Sequence, residues 1–206
     1  MKELTASDDE PVLLEMERLA DKEGFPIVGR LCGRWLEVLA RSISARRIFE
    51  MGSGFGYSAY WFSRATGPGG EIHLTDTDAV NEKRALEYLR RASLDGPIRF
   101  HVEDAFAALE ATAGDFDIVY VDIDKGDYPK AWELGKTRVR VGGYYICDNM
   151  LWSGRVTGLP ETGEDDPRPE WTSAIDATNR AIAAEPGFRA TINPTRDGIV
   201  AALRIA

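Results

Sequence analysis

The chain has 206 residues, 44% of them hydrophobic and 29% charged, a composition typical of one globular α/β domain with a substantial core. Its 34 acidic residues outnumber its 25 Lys and Arg, and the resulting net charge of -9 argues against extended nucleic acid as the main partner. The two cysteines, Cys32 and Cys147, are too few for a disulfide framework and have no zinc-ligand spacing.

The N-terminal part of the chain, residues 1–45, is predicted to be helical. The start MKELTASDDEP lacks the apolar core of a signal peptide, and no apolar run approaches the roughly 20 residues that span a bilayer. We therefore expect an unprocessed cytoplasmic protein. Ser7 or Asp8 can cap a first helix, which ends near Gly24, and a second helix follows over about 29–43.

Beyond these helices, strand-like and helix-like segments alternate, which predicts a parallel sheet with helices on both faces. The predicted strands cover residues 47–51, 71–75, 98–102, 116–121 and 141–147. The predicted helices cover residues 79–92, 104–111, 129–138 and 172–184, after a first one that starts near Tyr57. Two last strands, 188–192 and 199–205, should form an antiparallel hairpin. Because no domain boundary is visible, we expect one domain over residues 1–206.

A glycine-rich turn follows the first strand and reads EMGSGFGYS from Glu50 to Ser58. Glycines between a strand and a helix let backbone amides approach a ligand closely. A dinucleotide fingerprint would need glycine at Tyr57, so a pyrophosphate fits poorly. Asp76, at the end of the next strand, is well placed to bind ribose hydroxyls. Adenosine without a pyrophosphate suits both observations, although a turn without a ligand and a helix cap at Asp76 remain alternatives.

Asp104 and Ala105 follow the third strand and should reach the same edge of the sheet. Ligands of open α/β sheets bind at this edge. Asp104 is therefore a candidate for contact with a nucleoside, and its alternative role is to cap the helix that follows.

Oxygen-bearing side chains follow the next two strands. Asp122 comes directly after one strand, and Asp148 and Asn149 follow the other. Two carboxylates and an amide oxygen suit a hard cation, Mg²⁺ first and Mn²⁺ or Ca²⁺ as alternatives. Lys125 could then take a proton from a hydroxyl that the cation activates. The alternative is that the acids cap helices and that Lys125 is a surface charge paired with Asp124 or Asp127.

Two further pairs of side chains have simpler predicted roles. His73 and His101 lie within strands without metal-ligand spacing, so we expect core or surface histidines. Trp152 and Trp171 flank an acidic loop, residues 158–169, and could form an aromatic wall for a planar acceptor, with core packing as the alternative.

Several motifs in this order resemble the metal-dependent O-methyltransferases that include catechol and caffeoyl-coenzyme A O-methyltransferases. They are EMGSGFGYS at 50–58, VDIDKGDY at 121–128, DNMLWSGRV at 148–156 and the DG pair at 197–198. The resemblance covers about residue 24 to the end. It implies a Rossmann-like class I methyltransferase domain with a seven-stranded, mostly parallel sheet and an antiparallel last strand. It also implies S-adenosylmethionine as cofactor and a homodimer.

The resemblance assigns roles to individual residues. Those that match cofactor contacts are Val28, Glu50, Gly52, Ser53, Ser58, Asp76, Asp104, Ala105 and Asp124. Asp122, Asp148 and Asn149 match metal ligands, and Lys125 matches a general base. The second glycine of GSGFG stands where relatives carry a bulkier or hydroxylated residue, which can shift the cofactor contacts.

These matches predict metal-dependent methyl transfer to a hydroxyl of a small catechol-like molecule. Residues 157–171 match nothing assignable and are predicted to be the variable acceptor loop, so the acceptor stays open. The alternatives are methylation of a hydroxylated tRNA base, with a basic face of Arg46, Arg47, Arg90 and Arg91, and a cofactor-binding protein without catalysis. A nicotinamide dehydrogenase is disfavoured by Tyr57 and by the lack of a plausible hydride-transfer site.

Overall fold

The computed structural model describes residues 10–159 and 166–206. The predicted caps Ser7 and Asp8, and part of the predicted acceptor loop, lie outside these residues. The helices are α1 (Pro11–Glu23), α2 (Gly29–Ser42), α3 (Tyr57–Thr66), α4 (Ala79–Arg91), α5 (Ala105–Ala111), α6 (Tyr128–Gly135) and α7 (Pro169–Ala184). The strands are β1 (Arg47–Met51), β2 (Glu71–Asp76), β3 (Ile98–Val102), β4 (Phe116–Val121), β5 (Val139–Cys147), β6 (Phe188–Asn193) and β7 (Ile199–Arg204).

The strands form a seven-stranded sheet in the order β3-β2-β1-β4-β5-β7-β6. Pairing is parallel between β2 and β3, between β1 and β4, and between β4 and β5. β7 runs antiparallel to both of its neighbours, β5 and β6. The predicted fold, a mostly parallel seven-stranded sheet with an antiparallel closing hairpin, is confirmed. Because β7 lies between β5 and β6, the hairpin pairs with β5 through β7, its second strand.

Proline explains the two helix starts that the sequence analysis did not predict. Pro11 opens α1 behind Glu10, and Pro169 opens α7 three residues before the predicted start. Proline suits a first turn because its missing N–H has no partner there in any case. The predicted end of α1 is confirmed: Gly24 adopts a left-handed φ of 64° and donates its N–H to the carbonyl of Ala20.

The chain divides into two compact units, of which the first comprises residues 1–47 and 53–104. Within this unit, Gly33 of α2 lies against the indole of Trp61 in α3, so closely that a Cβ at Gly33 would come within 2.2 Å of Nε1. The missing side chain thus lets α2 and α3 approach. Ion pairs from Arg84 to Glu23 and from Arg91 to Glu15 link α4 to α1.

The second unit comprises residues 48–52 and 105–206. Its core is built around Trp132 of α6, whose ring packs edge-on at 4.9 Å from Tyr145 of β5 and 5.1 Å from Phe188 of β6. Phe49 and Phe116 extend the same buried cluster across β1 and β4. Full burial of each large apolar side chain stabilises the fold by about 1.5–3 kcal/mol. That the chain is one domain over residues 1–206 stays a prediction.

Helix length and polarity bear on the predicted absence of a membrane span. Across the ranges that the structure describes, none of the helices is both long and apolar enough to cross a bilayer.

Candidate metal centre and cofactor-binding residues

Two aspartates of the second unit lie at neighbouring strand ends. Asp122 follows β4 and donates its N–H to the carbonyl of Met51 at 2.9 Å. Asp148 follows β5 and donates its N–H to the carbonyl of Val121 at 3.1 Å. These bonds continue the parallel ladders beyond the strands, so both carboxylates are set by the sheet. The predicted convergence of Asp122 and Asp148 at one edge follows from this pairing.

Asp148 is almost fully buried, with 1% of its surface exposed. Its Oδ1 accepts the backbone N–H of Asn149 at 2.8 Å. Within the described part of the chain, its Oδ2 is buried and has no hydrogen-bond partner. Burial raises the pKa of the Asp148 carboxyl to about 7, and the charge of Asp122 acts in the same direction. An unsatisfied buried carboxylate oxygen beside a second carboxylate is an arrangement that a cation would stabilise.

Lys125 places a positive charge at this edge, and Arg196 places a second one near Asp148. Lys125 is buried, and its Nζ donates to Oδ1 of Asp122 at 2.8 Å and to the carbonyl of Ile123 at 3.0 Å. The same Nζ lies 5.0 Å from the ring centroid of Tyr128. The alternative prediction of a surface Lys125 paired with Asp124 or Asp127 is therefore wrong, because the side chain is enclosed and Asp122 is its ion-pair partner.

Asn149 has a left-handed backbone with a φ of 59°, and its Nδ2 donates to Oδ2 of Asp197 at 3.3 Å. Among residues 10–159 and 166–206, no three side chains of His, Cys, Asp or Glu are grouped so that they could hold a metal ion. The predicted set of ligands therefore depends on the amide of Asn149 for its third oxygen.

The second unit also carries four of the predicted cofactor residues. Glu50 is fully buried in β1, and Ala105 opens α5. Gly52 has a φ of 82°, and a Cβ there would lie 2.3 Å from the carbonyl oxygen of Asp122. Asp124 is exposed. Gly52 thus has a packing reason to be glycine, independent of any ligand.

The first unit carries the other five, which include Ser53 and Asp76. Ser53 donates its N–H to the carbonyl of Thr75 at 2.8 Å, and its Oγ accepts the N–H of Thr75 at 3.1 Å. Asp76 accepts the N–H of Asp78 at 2.8 Å and Nδ2 of Asn81 at 3.1 Å. The remaining residues are Val28 and Ser58, both buried, and Asp104, which is exposed directly before α5.

The predicted alternative for Asp76, a cap of the helix near Ala79, is wrong. Asp78 caps α4, since its side chain accepts the N–H of Val80 at 2.8 Å. Asp76 lies two residues earlier, and its carboxylate shapes the turn into that helix.

The two histidines contact each other on β2 and β3. Nδ1 of His73 lies 2.8 Å from Nε2 of His101, and Nε2 of His73 lies 2.5 Å from Glu71. Burial lowers the pKa of His73. The hydrogen bond from His73 and the guanidinium of Arg47 lower the pKa of Glu71 to about 2. The prediction of histidines that are core or surface residues rather than metal ligands agrees with this chain of hydrogen bonds.

Trp152 and Trp171 lie together in the second unit, with ring centroids 5.7 Å apart and a tilt of 50°. The guanidinium of Arg168 lies 4.0 Å from the ring centroid of Trp171. A Cβ at Gly126 would lie 3.7 Å from Nε1 of Trp171, so this indole borders the turn next to Lys125. Trp152 also packs against the buried core of this unit, as the alternative prediction expected, and a role of the two rings as a wall for a planar acceptor stays a prediction.

Two residues at this edge were not assigned a role by the sequence analysis. Tyr128 is fully buried and donates its hydroxyl to the backbone carbonyl of Asp148 at 3.0 Å. Asp197 binds both Asn149 and the backbone N–H of Ser153. Tyr128 belongs to the motif at 121–128 and Asp197 to the DG pair, so motif membership was the available signal. Their partners are distant in sequence and could not be read from it.

An α/β sheet of this topology, with a glycine turn after β1, an acid at the end of β2 and acids after β4 and β5, defines a class I methyltransferase fold. Residues 3–205 match the model of the O-methyltransferase family, and the chain belongs to that family. It is an S-adenosylmethionine-dependent O-methyltransferase.

Three relatives illustrate the breadth of the family. Caffeoyl-CoA O-methyltransferase of Medicago sativa is 28% identical, covering 84% of this chain and 72% of that protein. Tricin synthase 1 of Oryza sativa subsp. japonica is 31% identical, and the match covers 82% of this chain and 71% of that protein. The structure of the O-methyltransferase TomG of Streptomyces achromogenes, involved in tomaymycin synthesis and bound to S-adenosylmethionine, has a TM-score of 0.84 and 26% identity over 96% of this chain and 91% of TomG.

Proposed function

We propose that this enzyme transfers a methyl group from S-adenosylmethionine to a hydroxyl of a small catechol-like molecule and that the reaction depends on a divalent cation. The observation that carries the proposal is the buried carboxylate of Asp148, whose Oδ2 has no hydrogen-bond partner in the described part of the chain. Asn149 is the next residue in the chain and donates its N–H to Asp148. Asp122 lies near enough for its charge to act on the Asp148 carboxyl. A set of three oxygen donors with an unsatisfied member suits a hard cation.

The predicted ligands fit Mg²⁺, with Mn²⁺ and Ca²⁺ as alternatives, because all three donors are oxygens. Asp122, Asp148 and Asn149 would hold the ion. When bound, the ion lowers the pKa of a hydroxyl on the acceptor and orients that hydroxyl. Three protein ligands leave coordination positions for two neighbouring hydroxyls, which is the reason for proposing a catechol.

Lys125 is proposed to take the proton. Its Nζ lies within the same edge, held by Asp122 and by the carbonyl of Ile123. For catalysis, Nζ must be neutral. It must also leave Asp122 and accept a hydrogen bond from the acceptor hydroxyl. The proton then moves to Nζ, a bond forms between the acceptor oxygen and the methyl carbon, and the bond from that carbon to sulfur breaks. The sulfur keeps the electron pair and S-adenosylhomocysteine leaves. Positioning of the two reactants supplies much of the rate.

Nine residues are proposed to contact the cofactor: Val28, Glu50, Gly52, Ser53, Ser58, Asp76, Asp104, Ala105 and Asp124. Asp76 is proposed for the ribose hydroxyls, since its carboxylate can accept further hydrogen bonds beyond those from Asp78 and Asn81. Glu50, Gly52, Ser53 and Ser58 are proposed for the methionine part, and Asp104 and Ala105 for adenine. Asp124 is proposed to lie near the amino group of the cofactor.

The acceptor is proposed to be planar because Trp152 and Trp171 lie together near the turn that contains Lys125. Aromatic side chains favour stacked or edge-on contact with a flat ring. The names of the three relatives refer to caffeoyl-CoA, tricin and tomaymycin synthesis, so the particular catechol is left to experiment.

A tRNA substrate is not favoured by the arginines that were predicted as a basic face. Arg47 is paired with Glu71, and Arg91 is paired with Glu15. Arg46 donates to the backbone carbonyl of Thr66. The charges of Arg47 and Arg91 are thus partly neutralised, and the guanidinium of Arg46 is held against the backbone. We further propose a cytoplasmic location and a homodimer, and sedimentation of the purified chain tests the latter.

The test is methyl transfer from labelled S-adenosylmethionine to a panel of catechols, including caffeoyl thioesters, each with a monohydroxy analogue as a control. Reactions are run with Mg²⁺, with Mn²⁺ and with EDTA. We expect transfer to catechols that EDTA abolishes and that added Mg²⁺ restores. Full activity after exhaustive chelation would contradict the role of the metal, and transfer to tRNA in place of catechols would contradict the acceptor.

A further inference from the structure

The turn between β6 and β7 is joined to the loop that carries Asn149. The N–H of Met150 donates to the carbonyl of Gly198 at 2.9 Å, and the N–H of Leu151 donates to the carbonyl of Asp197 at 2.8 Å. Gly198 has a φ of 81°, and a Cβ there would come within 2.5 Å of the side chain of Leu151. Glycine at this position therefore allows the two backbones to lie side by side.

The carboxylate of Asp197 makes two further bonds to the same loop. Its Oδ1 accepts the backbone N–H of Ser153, and its Oδ2 accepts Nδ2 of Asn149 at 3.3 Å. The bond to Ser153 falls in a left-handed segment, in which Trp152, Ser153 and Gly154 have φ values of 49°, 50° and 77°. Residues with side chains rarely adopt this conformation, so a strong acceptor such as a carboxylate helps to hold it.

The bond to Asn149 determines which way the amide faces. A carboxylate can only accept hydrogen bonds, so the side of the amide that faces Asp197 must be Nδ2. The carbonyl oxygen, Oδ1, must then face away from Asp197. Rotation about the last bond of an asparagine side chain meets little resistance and exchanges the two ends. Without Asp197, the amide could present its N–H groups where a cation needs an oxygen.

We propose that Asp197 is a positioning residue for metal binding, which fixes the amide of Asn149 so that Oδ1 is available as a ligand. This inference rests on the proposed function, because it requires Asn149 to bind a cation. Asp197 itself is assigned no contact with the cation, the cofactor or the acceptor. Its effect is transmitted through one hydrogen bond to Asn149.

The test is a double-mutant cycle on the full chain with S-adenosylmethionine bound, in which the dissociation constant of Mn²⁺ is measured. The variants are Asp197→Asn, Asn149→Ala and the double variant. Asp197→Asn keeps the size of the side chain but replaces one acceptor with an NH₂ group. Loss of partners that orient metal ligands weakens metal binding by about 10–100-fold, and we expect this loss for Asp197→Asn in the wild-type background.

In the Asn149→Ala background the amide is gone, so Asp197→Asn should change the Mn²⁺ dissociation constant by less than about twofold. A purely structural role for Asp197 would instead give the same loss in both backgrounds. Asp197→Ser is measured alongside, so that failure of one variant to fold does not block the cycle. The matched control is Asp117→Asn, which removes a carboxylate that pairs with Arg140 on β4 and β5, and it should leave the constant unchanged.

The outcomes separate this inference from the proposed function. Wild-type protein that binds Mn²⁺, together with an Asp197→Asn variant that binds it equally well, overturns the role of Asp197 and leaves the metal site standing. Equal losses in both backgrounds also overturn it. Wild-type protein that binds no Mn²⁺ overturns the metal site and the inference together.

Discussion

The side chain of Ser53 is hydrogen-bonded to the backbone of Thr75, which also accepts the N–H of Ser53, so that two bonds join the glycine turn to β2. Thr75 is fully buried. Ser53 was predicted to bind the cofactor, and its hydroxyl already satisfies a backbone N–H. A serine that binds a ligand here would therefore also support the turn that presents the ligand.

Ser53→Ala should lower the free energy of unfolding by about 1–3 kcal/mol, because the buried N–H of Thr75 loses its Oγ acceptor. Denaturant unfolding without cofactor measures the loss. Ser173→Ala is the matched control, since its hydroxyl bonds the carbonyl of Pro169 on an exposed part of α7, and it should stay within about 0.5 kcal/mol of wild type. A loss of cofactor affinity with unchanged stability would mean that Ser53 acts only on the ligand.

Asp148→Asn should remove metal-dependent methyl transfer without unfolding the protein. The variant keeps the side-chain volume and removes a buried charge that lies near Asp122, so we expect no loss of thermal stability in EDTA. Activity with saturating cofactor and Mg²⁺ should fall on the order of 100-fold or more. Asp117→Asn is the control for a lost carboxylate, and it should retain activity. An Asp148→Asn enzyme that remains active would remove the basis for the metal site.

Trp171→Ala should weaken acceptor binding more than it slows the chemical step. Loss of one aromatic contact is worth about 0.5–1.5 kcal/mol, which corresponds to a rise of roughly 2–10-fold in the KM for a catechol. Trp171→Phe, which keeps a ring, should recover most of the affinity. Steady-state kinetics with saturating cofactor separates KM from kcat. A large fall in kcat at unchanged KM would argue that Trp171 positions the reaction instead.

Acidification should destabilise the protein through His73. Burial lowers the pKa of this imidazole, so the unfolded chain binds a proton more readily than the folded one, and stability falls with pH below about 6.5. The lowered pKa of Glu71 acts only in stronger acid, as pH falls from about 4.5 toward about 2. Protonation of Asp148, whose pKa is raised to about 7, acts in the opposite direction in both proteins, so the effect of His73 is taken from their difference: the midpoint of thermal unfolding of His73→Gln should rise relative to that of wild type as pH falls from about 7 to about 5. Parallel curves for the two proteins would show that another group titrates.

Much of the architecture could be predicted because periodicity and turn residues act locally. The bounds of β1, β3 and β4 agree with the prediction to the residue, and Gly24 ends α1 as expected. The starts of α1 and α7 were placed wrongly because proline was not read as a helix-opening residue.

The candidate site was harder to predict because its contacts join residues that are far apart in the sequence. Asp122, Asp148 and Asn149 were selected by their positions after strands, and the structure adds that Asp148 is buried and lacks a partner at Oδ2 in the described ranges. The ion pair between Lys125 and Asp122 could not be predicted, because it depends on the direction that a long side chain takes in a packed site. The roles of Tyr128 and Asp197 could not be predicted, because their hydrogen-bond partners lie 20 and 48 residues away in the sequence.

The position of β7 between β5 and β6 has a consequence for synthesis of the chain on the ribosome. β5 acquires its second neighbour only after Ile199–Arg204 has been made, and β6 must wait for the same residues before it joins the sheet. The turn with Asp197 emerges just before them. The loop of Asn149 therefore completes its hydrogen bonds late in translation, and a nascent chain should lack the proposed metal site until this last strand has been inserted.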